Sequence, residues 1–418
     1  MSKVLLIGNG AREHAIASAL TRADVELHAH MDKLNPGIAA LATSTTINTL
    51  MDYRKLPPLS GFDYAVIGPE GPLSVGIADY LEGQGVPSIG PIQRCAKIEV
   101  SKSFAREIIQ KAAKRANPEF AIVRSLDGIQ HFEEKVGVDN IVVKPDGLTG
   151  GKGVKIFGEH LHSREELEAY ATEEIGNHGI VILEEKLVGT EFTVQSFVDG
   201  KNIEIMPLVR DYKRAYDNDE GPNTGSMGSY SRSDHNLAYV SDNDLEEAKK
   251  VMTSVVKEIK KRTRYDYKGI LYGQFMKTNK GPKVIEFNAR FGDPEAMNVL
   301  SILDTSMDDI CLSIIDGKLI KPEFREQATV CVYVVPEGYP GKSVQKDKPI
   351  TIEEGIQAEL YYASVYQKDE QVFTTGSRSL GVLGKGASIS EARKIAYDSA
   401  QKITGAVRFR SDIAKDIT

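Results

Sequence analysis

Short apolar runs alternate with helix-period stretches through the first hundred residues. Residues 4–7 form a run that leads into the helical pattern of 11–20, residues 25–30 follow, residues 64–67 precede a helical pattern over 74–81, and residues 86–89 close the series. Unbroken apolar strands separated by helices predict a parallel sheet covered on both faces, the doubly wound α/β arrangement. A predicted helix over 103–114 then opens a second region with strands at 141–143, 180–184 and 192–198. Residues 210–232 read as a long loop rich in Gly, Asp, Asn and Arg. After it come a helix over 245–261 and strands at 271–276 and 284–288. Strands at 330–335 and 358–365 and a helix over 390–403 complete the pattern. We therefore expect a multidomain α/β chain. Its units are an N-terminal doubly wound parallel domain (1–100), a central α+β domain (101–323) with a lid subdomain at about 120–190, and a small C-terminal mixed α/β domain (324–418).

Composition narrows the class. The chain has 418 residues, is 41% hydrophobic and 27% charged, and contains no Trp, as ordinary soluble α/β proteins do. A formal charge of −7 argues against nucleic-acid binding, and the basic run at 257–264 fits one face of an amphipathic helix. Cys95, Cys311 and Cys331 are widely spaced without a C-x-x-C, which suits a reducing cytoplasm better than a disulfide framework or a thiolate metal site. The opening apolar run is too short for a signal or a membrane span.

The densest chemistry lies at 284–295. Strand alternation puts Val284, Glu286 and Asn288 on one face and Ile285 and Phe287 on the other. A carboxylate and an amide side by side suit Mg²⁺, which takes few protein oxygens beside nucleotide phosphates; a solvated strand face would carry the same two residues. Arg290, Gly292, Asp293, Pro294 and Glu295 follow at once, a charged loop at a strand end.

Three glycine-bearing turns add phosphate chemistry. Gly8-Asn9-Gly10-Ala11-Arg12-Glu13 follows a strand and opens a helix, where backbone N–H groups can meet a phosphate. Glu13 stands where a dinucleotide fingerprint needs Gly or Ala, so NAD is disfavoured, and a phosphate ligand and a plain turn both remain open. Gly68-Pro69-Glu70-Gly71-Pro72 ends a neighbouring strand. Lys144 precedes a glycine loop containing Gly147, Gly150, Gly151, Lys152 and Gly153, which can close over a triphosphate. It is not a P-loop, because Gly153 replaces Ser or Thr. Glu184, Glu185, Lys186 and Leu187, with Glu191 beyond them, suit a base edge and a ribose, or an exposed acidic strand end. Asp211, Lys213 and Arg214, with Asn223-Thr224-Gly225 later in the same loop, suit an anionic substrate.

Taken in order, these blocks resemble the ATP-grasp superfamily and, within it, the phosphoribosylamine–glycine ligase family. The N-G-x-R-E-H opening (Asn9 to His14), Gly68-Pro69-Glu70, Ser101-Lys102, Lys144-x-Asp146-Gly147, Gly151-Lys152-Gly153, Gly221-Pro222-Asn223-Thr224-Gly225 and Glu286-x-Asn288-x-Arg290-Phe291-Gly292-Asp293-Pro294-Glu295 carry the likeness. The resemblance implies an ATP-grasp fold for the central domain. It also implies ATP-driven joining of glycine to 5-phosphoribosylamine through a glycyl phosphate, in a cytoplasmic monomer or weak oligomer acting on small molecules.

Residue roles follow from the same likeness. Lys102, Lys144 and the Gly150–Gly153 loop with Lys152 would hold ATP phosphates, Glu184, Glu185, Lys186 and Leu187 would line the adenine pocket, and Glu191 would take the ribose. Glu286 and Asn288 would ligate Mg²⁺ or Mn²⁺. Gly8, Asn9, Gly10, Gly68, Pro69, Glu70, Asp211, Lys213, Asn223, Thr224 and Gly225 would meet the ribose phosphate substrate. Arg290 and Asp293, with Lys152, would orient glycine or the developing charge. The chain departs from the family pattern at Tyr212, Ser226 and Ser377. Rival expectations are an ATP-grasp carboxylase using bicarbonate, a nucleotide sensor without turnover, and a nicotinamide dehydrogenase.

Overall fold

The computed structural model describes residues 1–148, 153–415 and 417. Five strands form the first sheet in the order Ser44–Ile47, Glu26–Met31, Lys3–Ile7, Tyr64–Ile67, Ser88–Ile89, all parallel. The order reverses between Lys3–Ile7 and Tyr64–Ile67, so the turns at Gly8 and Gly68 leave adjacent strands at the crevice where such sheets bind ligands. The helical pattern of 74–81 is two helices, Glu70–Ser74 and Ile77–Gly83, because Gly76 takes φ +85° between them.

Two antiparallel sheets build the centre. One runs Ile203–Ile205, Thr190–Asp199, Lys268–Thr278, Gly281–Asn288. The other runs Phe120–Val123, Val181–Glu185, Ile141–Pro145, Lys155–Ile156, backed by helices Leu126–Val136 and Arg164–His178. That second layer encloses its own apolar cluster, including Val123, Phe132, Val143, Leu167 and Leu183. It is a separately packed flap facing the Gly281–Asn288 strand of the other central sheet.

The segment 210–232 is more ordered than a loop. Arg214–Tyr216 and Glu220–Asn223 pair as a hairpin, while Arg210–Asp211 and Gly228–Ser231 join Ala328–Pro336, Leu380–Gly386 and Glu359–Tyr362 in a mixed-origin sheet. The run expected at 358–365 likewise splits, since Val365–Lys368 belongs to a different sheet from Glu359–Tyr362. Polar turn residues conceal these strands, because they are short and, apart from the local hairpin, are held through Gly228–Ser231 by Ala328–Pro336 about a hundred residues away. Among the described residues no helix is long and apolar enough to cross a membrane, and all three cysteines are buried and unpaired.

His14 locks the first sheet's leading helix, Ala11–Thr21, to the C-terminal part of the chain. Its Nδ1 accepts the Tyr362 N–H at 3.0 Å, its ring meets Tyr361 edge-on, and Asn35 Nδ2 bridges the carbonyls of Asn9 (2.9 Å) and Tyr362 (2.7 Å). Burial lowers the His14 pKa to about 4. Between that value and the unfolded value near 6.5, the native protein binds fewer protons than the unfolded chain, so His14 stabilises at neutral pH and the contribution is lost as pH falls. The offset is worth about 3 kcal/mol. We expect urea unfolding of the wild type to lose most of this increment between pH 7 and pH 4.5. A His14→Gln variant, less stable at pH 7, should lose correspondingly less over the same interval.

Candidate functional site

A cleft separates the flap sheet from the central sheet, and a buried ion cluster forms its floor. Glu184, on the flap strand Val181–Glu185, receives Arg106 Nε and Nη2, each at 2.6 Å, and Lys144 Nζ at 2.8 Å. Arg106 comes from helix Lys102–Ala112, whose N-cap Ser101 accepts the Phe104 N–H at 3.1 Å. Its guanidinium also donates to the carbonyls of Val284 (2.9 Å) and Ile285 (2.7 Å) in the central sheet. One arginine thus ties three elements together.

Those two carbonyls point at Arg106 because the strand bulges. Gln274 pairs with Glu286 but Phe275 pairs with Val284, leaving Ile285 as the extra residue. Strict alternation therefore fails at this point. Val284 faces the core with Phe287, while Ile285 lines the cleft beside Glu286 and Asn288. The expectation that Val284 shares the polar face is corrected, and the pairing of Glu286 with Asn288 holds: Asn288 Nδ2 donates to Glu286 Oε1 at 3.3 Å.

Cations converge on Glu286. Lys144 donates to the Ile285 carbonyl at 3.2 Å, and Lys102 Nζ donates to the Gly147 carbonyl at 2.7 Å. Burial pushes the Glu286 carboxyl up, but Lys213, Lys144 and Lys102 outweigh it and hold the pKa below the usual glutamate value. Burial lowers the Lys102 pKa, with Glu286 opposing and Lys144 reinforcing. Three lysines thus face one carboxylate at the cleft. Lys213 Nζ sits 3.1 Å from Glu191 Oε2, which also accepts from Gln274 Nε2 at 2.5 Å, directly across the sheet from Glu286. Among the described residues no cluster of three or more acidic, His or Cys side chains forms that could hold a metal ion.

The segment through Glu185 and Lys186 is partly committed. The N–H groups of Glu185 and Lys186 bond to the carbonyls of Glu119 (2.9 Å) and Asn140 (2.7 Å), and Lys186 Nζ lies 3.5 Å from Glu159, so Leu187 and the exposed Val188 carry what is left at that edge. Gly150, Gly151 and Lys152 lie outside the described residues. The Gly153 carbonyl accepts Tyr170 Oη–H at 2.8 Å.

At the first sheet, Glu13 is folded under the glycine turns. Its Oε2 accepts the Gly10 N–H at 2.6 Å as a helix cap, and its Oε1 accepts Arg12 Nε at 2.6 Å. A Cβ on Gly8, where φ is +126°, would lie 2.6 Å from Glu13 Cγ, and one on Gly68 would lie 2.2 Å from Glu13 Oε1. The residue that disfavours NAD therefore shapes this turn instead. Arg12 continues to the Phe291 carbonyl (3.3 Å) and towards Glu70 (3.9 Å). Glu70, at the start of the short helix capped by Pro69, lies 3.3 Å from Arg290 Nε. Burial raises its pKa, but Arg290 and Arg12 reverse that and bring it to about 2. Arg290 Nη2 then reaches Glu99 Oε1 at 3.0 Å.

On the opposite wall, Asp293 is committed to the C-terminal part of the chain. One oxygen accepts Arg378 Nη2 at 2.8 Å and the other the Tyr333 hydroxyl, with the Arg378 guanidinium 4.3 Å from the Tyr333 ring centre. Arg378 Nη1 also donates to the Gly225 carbonyl at 2.6 Å, next to Asn223 on its exposed strand end and to Thr224, whose Oγ–H and N–H bond to the Lys213 carbonyl. Asp211, half-buried beside Lys213, has its pKa raised by burial, against Lys213. Ser226 takes φ +98°, where glycine is favoured, and its Oγ–H donates to the Gly228 carbonyl at 2.9 Å. Tyr212 is buried and its hydroxyl accepts the Ala414 N–H, while Ser377 is exposed.

Lys102, Lys144, Glu184, Glu286, Asn288, Arg290 and Glu70 thus line one pocket. Arg106 and Glu99 are not singled out by the sequence, and Asp146 and Arg378 receive no role from it. Asp146 holds Ser101 and Ser103 through their hydroxyls (3.2 and 2.7 Å), and its place in the Lys144-x-Asp146-Gly147 block was the available signal. For Arg378 the signal was the Gly376-Ser377-Arg378 block; Arg106 and Glu99 had none, since each looks like an ordinary charged helix residue.

Comparison with known proteins agrees with this architecture. Models of the phosphoribosylglycinamide synthetase N domain, ATP-grasp (A) domain and C domain match residues 2–99, 100–296 and 329–416. The phosphoribosylamine–glycine ligase of Methanosarcina barkeri is 45% identical over 98% of this chain and 96% of its own length. The crystal structure of the Thermotoga maritima phosphoribosylamine–glycine ligase aligns over 99% of this chain and 100% of that chain, at 29% identity and a TM-score of 0.85. The biotin carboxylase domain of the Hydrogenobacter thermophilus 2-oxoglutarate carboxylase, crystallised with MgADP and bicarbonate, shares the fold at 15% identity over 98% of this chain and 91% of its own, with a TM-score of 0.72. The chain belongs to the phosphoribosylglycinamide synthetase family.

The buried cluster generates a stability test. Arg106→Met would strand Glu184 with Lys144 alone and is expected to cost about 3–5 kcal/mol, seen as an earlier urea midpoint. A loss under about 1 kcal/mol, as for an exposed ion pair, would refute the hub role.

Proposed function

We propose that this chain joins glycine to 5-phosphoribosylamine at the expense of ATP, giving glycinamide ribonucleotide, ADP and phosphate, and that it does so through a glycyl phosphate. The observation that carries the residue assignment is the convergence of Lys102, Lys144, Glu286, Asn288 and Arg290 on one cleft, with Glu70 of the first sheet at its rim. A glycine carboxylate oxygen attacks the γ-phosphorus and the bond to ADP breaks. The phosphoribosylamine nitrogen then attacks the acyl carbon, phosphate leaves, and the nitrogen gives up one proton. Both steps call for charge neutralisation and positioning rather than a side-chain nucleophile.

Lys102 and Lys144 meet the ATP phosphates, together with the Gly150–Gly153 loop and Lys152. Glu184 does not touch the base in this reading; it holds Lys144 and Arg106 in place. The segment through Glu185, Lys186 and Leu187 faces adenine, and Glu191 with Lys213 faces the ribose or the polyphosphate. Glu286 and Asn288 fit a divalent cation, since they offer adjacent oxygens among lysines. Mg²⁺ suits that small oxygen set, and Mn²⁺ would serve the same donors. When bound, the cation spreads the charge on the transferring phosphoryl group.

The turns at Gly8-Asn9-Gly10 and Gly68-Pro69-Glu70 take the ribose phosphate, with Asp211 and the Asn223-Thr224-Gly225 edge opposite. Arg290 orients the glycine carboxylate. Asp293, with both oxygens engaged, acts by fixing Arg378 at that edge. Three unpaired cysteines favour a reducing compartment such as the cytoplasm, where the chain would work as a monomer or weak oligomer on small molecules.

ADP release should require both glycine and phosphoribosylamine when each is omitted in turn. Release that ignores glycine and responds to bicarbonate would overturn the ligase reading in favour of a carboxylase. Glu286→Ala is expected to lower kcat by about 100-fold or more while leaving the unfolding midpoint nearly unchanged, because the side chain opens to the cleft. Undiminished turnover at saturating Mg²⁺ would remove Glu286 from the site.

A further inference from the structure

We infer that Glu99 is a positioning residue: it fixes the Arg290 guanidinium for the amino-acid substrate and so sets the affinity for glycine. The inference rests on the assignment of the glycine carboxylate to Arg290.

Glu99 grips the turn after the central strand at two points. Oε1 lies 3.0 Å from Arg290 Nη2, and Oε2 accepts the Ala289 N–H at 2.7 Å, so backbone and side chain are held by one carboxylate. The other guanidinium contacts are weaker anchors. Nη1 donates to the adjacent Phe291 carbonyl at 3.1 Å, and Nε faces Glu70 at 3.3 Å. The two acids differ in freedom. The Glu70 side chain is 35% exposed and stands at the first-sheet turns, while the Glu99 side chain is 5% exposed within the cleft wall. A ligand arriving at the first-sheet turns can draw Glu70 away, but Glu99 stays. Its helix, Gln93–Val100, leads directly into Ser101, the cap of helix Lys102–Ala112.

A planar guanidinium presents a fixed fork, and its value for a carboxylate depends on orientation as much as on charge. Without Glu99, Arg290 keeps its charge but loses the partner that defines its plane. Removal of the anchor should therefore weaken recognition of the small carboxylate far more than that of ATP.

The test measures KM for glycine, ATP and phosphoribosylamine, with kcat and the urea midpoint, in Glu99→Gln, Glu99→Asp, Arg290→Lys and the double variant Glu99→Gln/Arg290→Lys. Expected for Glu99→Gln is a glycine KM raised by about 10-fold or more, with the other two KM values within about threefold. Glu99→Asp, which keeps the carboxyl group, should recover part of the loss. The double variant should be no worse for glycine than Arg290→Lys alone, because one residue acts through the other. An unchanged glycine KM in Glu99→Gln, while Arg290→Lys raises it, would overturn the positioning role alone. Additive losses, or equal losses for all three substrates together with a fallen urea midpoint, would do the same and leave Glu99 a structural residue. Should Arg290→Lys leave the glycine KM unchanged, the glycine assignment fails and this inference with it.

Discussion

The Arg106–Glu184–Lys144 cluster is the constraint on which the cleft depends. A carboxylate 3% exposed cannot remain ionised unless cations repay its lost hydration, and here burial is outweighed first by Arg106 and then by Lys144. The need for compensation draws together the flap strand, helix Lys102–Ala112 and the bulged central strand. Lys144 is held in the process with its ammonium at the cleft, next to the Ile285 carbonyl. An apolar cluster at this junction would pack as well, but it would leave no fixed charge for a polyphosphate.

From that floor a second line of alternating charge runs to the first sheet: Glu99, Arg290, Glu70, Arg12 and Glu13 in turn. Its members come from a linker helix, the central strand's end and two parallel-strand turns. The ladder joins the turns beneath Gly8 and Gly68 to Arg290 at the end of the central strand, so that these distant segments form one electrostatic unit. The opposite wall is built the same way, with Asp293 tied to Arg378 and Tyr333 and, through Arg378, to the Gly225 edge. Each wall is completed by residues from distant parts of the chain.

Much of this was legible from residue order. Apolar runs at 4–7 and 64–67 identified the parallel sheet, and the Glu286-x-Asn288 spacing placed two oxygens on one face, which the structure retains. The same alternation failed two residues earlier, because a bulge at Ile285 turns Val284 inward. A bulge is set by pairing with the neighbouring strand, which local periodicity does not contain. The segment 210–232 reads as a loop for a related reason, since its strand Gly228–Ser231 is stabilised by Ala328–Pro336 about a hundred residues away.

The amino-acid sequence by itself determined the family-bearing blocks, the layer types and the chemical groups available at each strand end, since these follow from residue identity and spacing. Only the tertiary structure decided which groups are spent and which stay available. Glu184 and Asp293 looked like ligand-facing acids but are neutralised inside the protein, whereas Glu99 and Arg106, unremarkable on their helices, became anchors. The physical reason is desolvation: whether a charge is a binding group or a structural one depends on what packs around it, and that is settled by contacts between residues far apart in the chain.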